Sequence, residues 1–183
     1  PKNTTLVNVF NNYFGGGMGS LVFQTIRESK ALAYSTYGVY ASPSKKEDDY
    51  YMLAYVGSQA DKFNDAVAAM NELLTTMPKL PVNLDLAKGQ VKKDLETERI
   101  TQDGIIFNYL GAQQLGLKED IRKQVYSSVD KVTLDELNQF HQSHFSGKPY
   151  TYCLVASDKK VSMEDLKKLG EVKTISLEEL FGY

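Results

Sequence analysis

A chain of 183 residues, 42% apolar and 24% charged, has the composition of a soluble globular domain and the length to bury a sizeable core. Lys and Arg total 21 against 23 Asp and Glu, and a net charge of −2 gives no basis for nucleic-acid binding or for an anionic membrane partner. No apolar run is long enough to insert in a bilayer, and the single cysteine, Cys153, excludes an intrachain disulfide.

The sequence begins at Pro1, directly before an amphipathic segment, and is read as one domain over 1–183 excised or processed from a longer protein. Leu6, Val9, Phe10, Tyr13 and Phe14 recur at helical spacing, which predicts a helix over 4–14 with one buried face. Gly15, Gly16, Gly17 and Gly19 come next; three consecutive glycines are costly in a helix or strand, so a turn is expected. Ser20 can cap a short helix that buries Leu21, Val22, Phe23 and Ile26 and carries Arg27 in its last turn. Seven residues on, Tyr34 opens a strand rich in tyrosine. By residue type alone, Arg27 in a surface ion pair and Tyr34 in a core would be the ordinary assignment.

The stretch 11–34 changes that assignment. Asn11, Tyr13, Gly15, Gly16, Gly17, Ser20, Leu21, Ile26, Arg27, Glu28, Leu32, Ala33 and Tyr34 together resemble a signature of the insulinase or pitrilysin family of zinc metallopeptidases, the inverzincins, in their second, non-catalytic half. The resemblance continues more weakly through Val132 to Leu137 and the segment Tyr150 to Ala156. It implies a clamshell enzyme whose other half, upstream in the same chain or on a partner subunit, holds zinc, while this half closes over the peptide. It also implies that Arg27 and Tyr34 serve the scissile carbonyl, and that the loop Gly15, Gly16, Gly17 touches substrate. Family members usually place a strand before the first helix, and none precedes it here.

The family's catalytic H-x-x-E-H is absent from this sequence. His141 and His144 stand at i,i+3 in FHQSHF without the intervening general base or a further ligand, so no zinc site and no catalytic residue is assigned to this domain in isolation. They are read as polar residues near a helix C-terminus. The glycine cluster lacks the Lys and the preceding strand of a phosphate loop, and neither a serine elbow nor a cysteine–histidine constellation is present. The domain is therefore expected to be inactive alone. A structural or substrate-holding subunit of a hetero-oligomer is the competing expectation, and a free-standing domain with its own ligand a third.

Downstream, residues 33–42 and 50–57 read as a hairpin with a charged, solvated loop. Ser58 and Asp61 suggest a cap for a helix buried along Phe63, Ala66, Val67, Met70, Leu73, Leu74 and Met77, ended by Pro78 and Pro81. A second long helix is expected from Leu84 to Ile100 with Ala87, Val91 and Leu95 inward and a solvated polar face. Asp103-Gly104 is expected to interrupt before a helix carrying Ile106, Tyr109 and Leu110. Thr133 and Glu136 form a capping-box pattern, and Tyr150 to Ala156 reads as a strand in which Cys153 is a buried, inert thiol. Ser162 and Asp165 suggest a short helix ending at Gly170, with a short strand over Glu171 to Ile175. The sum is an α+β domain with a mostly antiparallel sheet of three or four strands covered by helices on one face, its first strand missing.

Overall fold

The computed structural model describes residues 3–182; the expectations that concern Pro1 and the terminal Tyr183 lie outside the described residues. The architecture is α+β. Helix α1 (Thr4–Phe14) leads through the glycine loop to a π-helical segment (Phe23–Ser29) and then to strands β1 (Ser35–Ala41) and β2 (Tyr51–Gly57). Helices α2 (Phe63–Thr75), α3 (Pro81–Thr97), α4 (Gln102–Gln114), α5 (Ile121–Ser128) and α6 (Leu134–His144) come after the hairpin, with short helices α7 (Met163–Lys167) and α8 (Leu177–Phe181) at the end.

Helix α1 is the centre of the core. Val9, Phe10, Tyr13 and Phe14 are wholly buried, and the Phe10 ring lies 4.9 Å from those of Phe140 and Phe145. The Tyr13 hydroxyl donates to the Pro78 carbonyl at 2.7 Å and accepts from the Leu80 amide at 2.8 Å, so α1 also holds the link between α2 and α3. Burial raises the Tyr13 phenol above its ordinary pKa, the Leu80 amide opposing. The inward stripes of α2 and α3 largely agree with their spacing: Ala66, Met70, Leu73 and Leu74 are buried from α2 and Met77 just beyond its end, Leu84, Ala87 and Val91 from α3, while Phe63, Val67 and Leu95 are half-buried.

Strands β1 and β2 pair antiparallel, from Ser35 opposite Gly57 to Ala41 opposite Tyr51. Thr36 and Gly38 of β1 point to the core, while Tyr37 stacks on Tyr55 at 5.3 Å on the other face. The side-chain amide of Asn11 is clipped to β1 at Tyr40, donating to its carbonyl at 3.1 Å and accepting from its N–H at 2.8 Å. Asn11 thereby does for Tyr40 what a neighbouring strand would do. Just beyond it, the Gly15 carbonyl accepts from the Gly38 amide, and a Cβ on Gly15 would lie 2.3 Å from Gly38 backbone atoms. No side chain fits between Gly15 and the strand, and at Gly38 a Cβ would lie 2.9 Å from the Phe14 ring.

The structure corrects several expectations. Among the described residues the sheet has two strands, not three or four: 150–156 and 171–175 pair with nothing, because strand formation needs a partner edge that composition cannot supply. Cys153 is consequently exposed rather than buried. No Ser58 cap forms; a 3-10 turn (Ala60–Lys62) leads into α2 at Phe63 instead. Pro81 opens α3, which runs from Pro81 rather than from Leu84, a position where its missing N–H costs nothing. The Asp103-Gly104 pair lies inside α4, whose start is capped by Thr101 accepting from the Gly104 amide at 3.1 Å. The Thr133–Glu136 capping box and the Ser162 cap both form as read.

His141 lies in the last turn of α6, as read, and is buried there. It is 1% exposed, stacked on Phe145 at 5.4 Å, with Nε2 2.9 Å from the Leu73 carbonyl. A carbonyl only accepts, so Nε2 carries the proton. Desolvation lowers its pKa below the ordinary 6.5, the Leu73 bond opposing. Folded His141 therefore takes up its proton at lower pH than it does in the unfolded chain. Its contribution is intact above pH 6.5 and is lost as pH falls from there through the folded value.

Both the crossing and the buried imidazole can be tested through stability. Gly15→Ala forces the loop off β1 and costs about 3 kcal/mol in urea unfolding, and Asn11→Ala, which strips two hydrogen bonds from Tyr40, about 2 kcal/mol. Unfolding free energy falls as pH drops below 6.5, by at most about 1.4 kcal/mol per pH unit from His141, and His141→Gln flattens that slope. An unaltered slope in the variant would refute the buried-imidazole account.

Candidate functional site

The loop that Gly15 pins to β1 forms one wall of a shallow open groove of about 400 Å³. Gly15, Gly16, Gly17, Met18 and Phe23 line one side and Thr36 to Val39 of β1 the other. The three glycines differ in role. Gly15 is buried and needed by the crossing; Gly16 is exposed, with its Cβ position 2.8 Å from the Asn11 carbonyl; Gly17 is exposed and faces open space.

Ser20 begins the next element as expected, fully buried, its hydroxyl accepting from the Phe23 amide at 3.4 Å. The element itself departs from the expected α-helix. From Phe23 to Ser29 the chain is π-helical, and the Lys30 amide reaches back five residues to the Thr25 carbonyl. Such wide turns are rare and concentrate at functional sites. Leu21, Val22 and Ile26 are buried beneath it, and Phe23 and Arg27 emerge one wide turn apart on its outer side.

At the end of the π-helical segment, Ala31 takes a left-handed conformation, φ 49°, which turns the chain toward β1. A non-glycine residue there is strained, and its small side chain keeps that strain modest. The Tyr34 amide then donates to the Gly57 carbonyl at 2.9 Å, tying the start of the hairpin to its end.

Arg27 and Tyr34, singled out from sequence, are brought together. The Arg27 guanidinium carbon lies 5.5 Å from the centre of the Tyr34 ring and 4.8 Å from that of Phe23, so the cation is held between two aromatic faces. Its ionic neighbour, Glu28, is 3.7 Å away with both side chains in solvent, a weak pairing. Tyr34 is 85% exposed, and its hydroxyl makes no hydrogen bond among the described residues. Phe23 lies both against Arg27 and in the groove wall, so the pair stands at the groove's mouth. The arrangement presents a planar cationic fork and a phenol donor outward, their N–H and O–H groups available to an acceptor.

Asn11 and Phe23 also belong to this site, and the sequence alone does not mark them out. Asn11 is there one position of a pattern; its role as a strand substitute needs the fold. Phe23 has the spacing of a core residue, and is half-buried.

The residues do not fit a metal. His141 is occupied inside the core by Leu73, His144 lies against the Phe140 carbonyl at 2.9 Å, and no group of three His, Cys, Asp or Glu among the described residues could hold an ion. No helix among those residues is long and apolar enough to cross a membrane.

Comparison with known proteins bears on the same stretch. Residues 2–84 match the family model described as the peptidase M16 inactive domain. A Bacillus subtilis protein named as an uncharacterized zinc protease, YmxG, is 29% identical over 129 residues, covering 70% of this chain and 29% of its own length. A Helicobacter pylori protein named as a non-peptidase homolog, YmxG, is 25% identical over 160 residues, covering 80% of this chain and 34% of its own. The chain thus spans about a third of the length of these curated relatives. Two crystal structures share the fold, each with a TM-score of 0.63. One is a peptidase M16 inactive domain from Pseudomonas fluorescens, at 17% identity over 80% of this chain and 35% of that one. The other is a conserved protein from Enterococcus faecalis, at 16% identity over 78% of this chain and 33% of that one. The segment that carries the glycine loop, the π-helical turn, Arg27 and Tyr34 lies wholly within residues 2–84, the part of the chain that is similar to the peptidase M16 inactive domain.

Proposed function

We propose that this domain is the non-catalytic half of a zinc metalloendopeptidase, closing over a peptide and donating hydrogen bonds from Arg27 and Tyr34 to the scissile carbonyl. The observation that carries the reading is the held but unspent pair: Arg27 is fixed between Phe23 and Tyr34, yet neither donor has a strong competing acceptor. A surface ion pair would give Arg27 a closer partner, and a core role for Tyr34 is incompatible with its exposure.

The hydrolytic step belongs to the other half, in the same polypeptide or on a partner subunit, since no residues described here fit a zinc ion. What these residues do is receive charge. As a carbonyl oxygen becomes an oxyanion, hydrogen bonds to it from a guanidinium and a phenol strengthen, which lowers the barrier rather than merely tightening binding. Such donors act best where water is excluded, and the exposure of Tyr34 means that exclusion must come from the opposing half. The groove between the Gly15 to Gly17 loop and β1 would take the flanking peptide beside the pair.

A second reading has one observation in its favour: the Helicobacter pylori relative is named a non-peptidase homolog. There the domain would hold substrate or structure for a separate active subunit. The two readings divide on zinc. Intact protein isolated from its source carries about one zinc ion, or brings down a zinc-bearing partner, under the peptidase reading. Zinc-free protein without such a partner removes the peptidase reading and leaves a non-proteolytic structural role, while with a zinc-bearing partner the Arg27 and Tyr34 variants separate donation to the carbonyl from merely holding substrate.

For the peptidase reading, Arg27→Ala or Tyr34→Phe in the full-length protein with its catalytic half lowers kcat by about 10²–10³ while zinc content and KM change little. Unchanged turnover removes both residues from the mechanism.

A further inference from the structure

The β1–β2 hairpin has one face packed and one face bare. Tyr40, Met52, Ala54 and Val56 turn inward and pack against the core. The alternate residues turn outward, Tyr37 opposite Tyr55, Val39 opposite Leu53 and Ala41 opposite Tyr51. Tyr37 is 40% exposed, Leu53 45%, Tyr55 46% and Tyr51 60%, with Val39 and Ala41 half-buried between them. A ribbon with one solvated face ordinarily carries polar and charged residues there. These six include no charge, and a contiguous apolar surface left in solvent marks a place where something binds.

The chemistry of the face narrows what binds. A surface that a fold buries for good is mostly aliphatic, because a buried phenol must find a hydrogen-bond partner. Here Tyr37, Tyr51 and Tyr55 each bring a hydroxyl, and among the described residues none of the three is hydrogen-bonded. Rings with a wet edge suit a surface that is covered and uncovered in turn. They are also ordered in advance: Tyr37 and Tyr55 stack at 5.3 Å, and Tyr55 lies along its strand over Gly57, where a Cβ would be 2.9 Å from the tyrosine hydroxyl. Side chains already held lose little freedom when a ligand arrives.

Position identifies the ligand. Tyr37 and Val39 also line the groove beside the glycine loop, and Gly57, beneath Tyr55, accepts from the Tyr34 amide at 2.9 Å. The face therefore starts at the corner that holds Arg27 and Tyr34. It stops at the charged run Lys45 to Asp49, in the connection between the strands. The seven residues of β1 between these limits span about 20 Å, the length of about six residues of extended peptide.

We propose that the outer face of the hairpin is a second peptide-binding surface, continuous with the groove, for an extended uncharged segment with aliphatic or aromatic side chains at alternate positions. The proposal rests on the reading that this half closes over a peptide, and it adds the class of peptide. Alternate side chains of an extended peptide recur about every 7 Å on one side, which is the repeat of Tyr37, Val39 and Ala41 along β1. A charged side chain laid there would lose its water against Leu53 and Val39 with no counter-ion on the face.

Binding separates this surface from the reaction. The intact protein with its catalytic half, held in EDTA to halt hydrolysis, is titrated with a fluorescent peptide that alternates Leu or Tyr with Thr, and with a control in which Ser replaces every Leu and Tyr. Anisotropy is expected to show the first peptide bound at least about tenfold more tightly, and the pair of exchanges Leu53→Thr and Tyr55→Thr, compatible with a strand, to remove that difference. On unaltered protein, a benzophenone in place of one Leu is expected to crosslink to the hairpin between Ser35 and Gly57, located by mass spectrometry. Equal affinity for the two peptides overturns the proposal. So does a crosslink confined to residues outside the hairpin, which would mean that the rest of the protein covers this face. The crosslink needs no variant, so the proposal can be refuted even where the double exchange unfolds the domain. Unchanged turnover in the Arg27 and Tyr34 variants together with a hairpin crosslink removes the carbonyl assignment and keeps this surface; lowered turnover without the crosslink removes this surface alone.

Discussion

The crossing of the glycine loop over β1 is the constraint on which the site depends. Gly15 comes so close to the Gly38 backbone that it cannot carry a side chain, the Phe14 ring crowds the Cβ position of Gly38, and beside this crossing the Asn11 amide reaches both backbone groups of Tyr40. Helix α1 ends against the strand instead of beside it, and the chain is returned toward the π-helical segment. From there Arg27 meets Tyr34, which the Gly57 carbonyl holds at the mouth of the hairpin. Without the crossing, the strand that Tyr34 leads into is free to shift against the segment that carries Arg27.

The same helix links this corner to the core. Asn11 and Gly15 act on β1, while Phe10, Tyr13 and Phe14, between and beside them, are wholly buried against α6 and the α2–α3 link. One face of a single eleven-residue helix thus sets packing, and its last turn sets the functional loop. Disturbance of the core at Phe140 or His141 is expected to reach the groove by this route, through side chains in contact and without a separate coupling device.

Local signals were legible wherever the physics is local. The helix over 4–14, the hairpin strands, the Thr133–Glu136 and Ser162 caps and the stripes of α2 and α3 all form close to where spacing placed them, because each depends on neighbours within four residues or on one direct pairing. Arg27 and Tyr34 stood out through the resemblance of 11–34 to a family signature; their residue types alone pointed to a surface ion pair and a core tyrosine. The departures share a cause of another kind. The π-helical register from Phe23 to Ser29, the burial of His141 and the unpaired state of 151–156 are each settled by contacts across the fold, not by the residues beside them.

The sequence by itself determined that the chain is an α+β domain of a recognisable family pattern, which residues have an inward face, and that no H-x-x-E-H is present. Those properties are periodicities and residue identities, and they survive without coordinates. Only the tertiary structure decided that Asn11 serves as a strand for Tyr40, that Gly15 rather than Gly17 is sterically required, and that Arg27 is gripped between Phe23 and Tyr34. Each of these is a distance between groups that the chain separates, and such distances are set by closing loops and burying faces together.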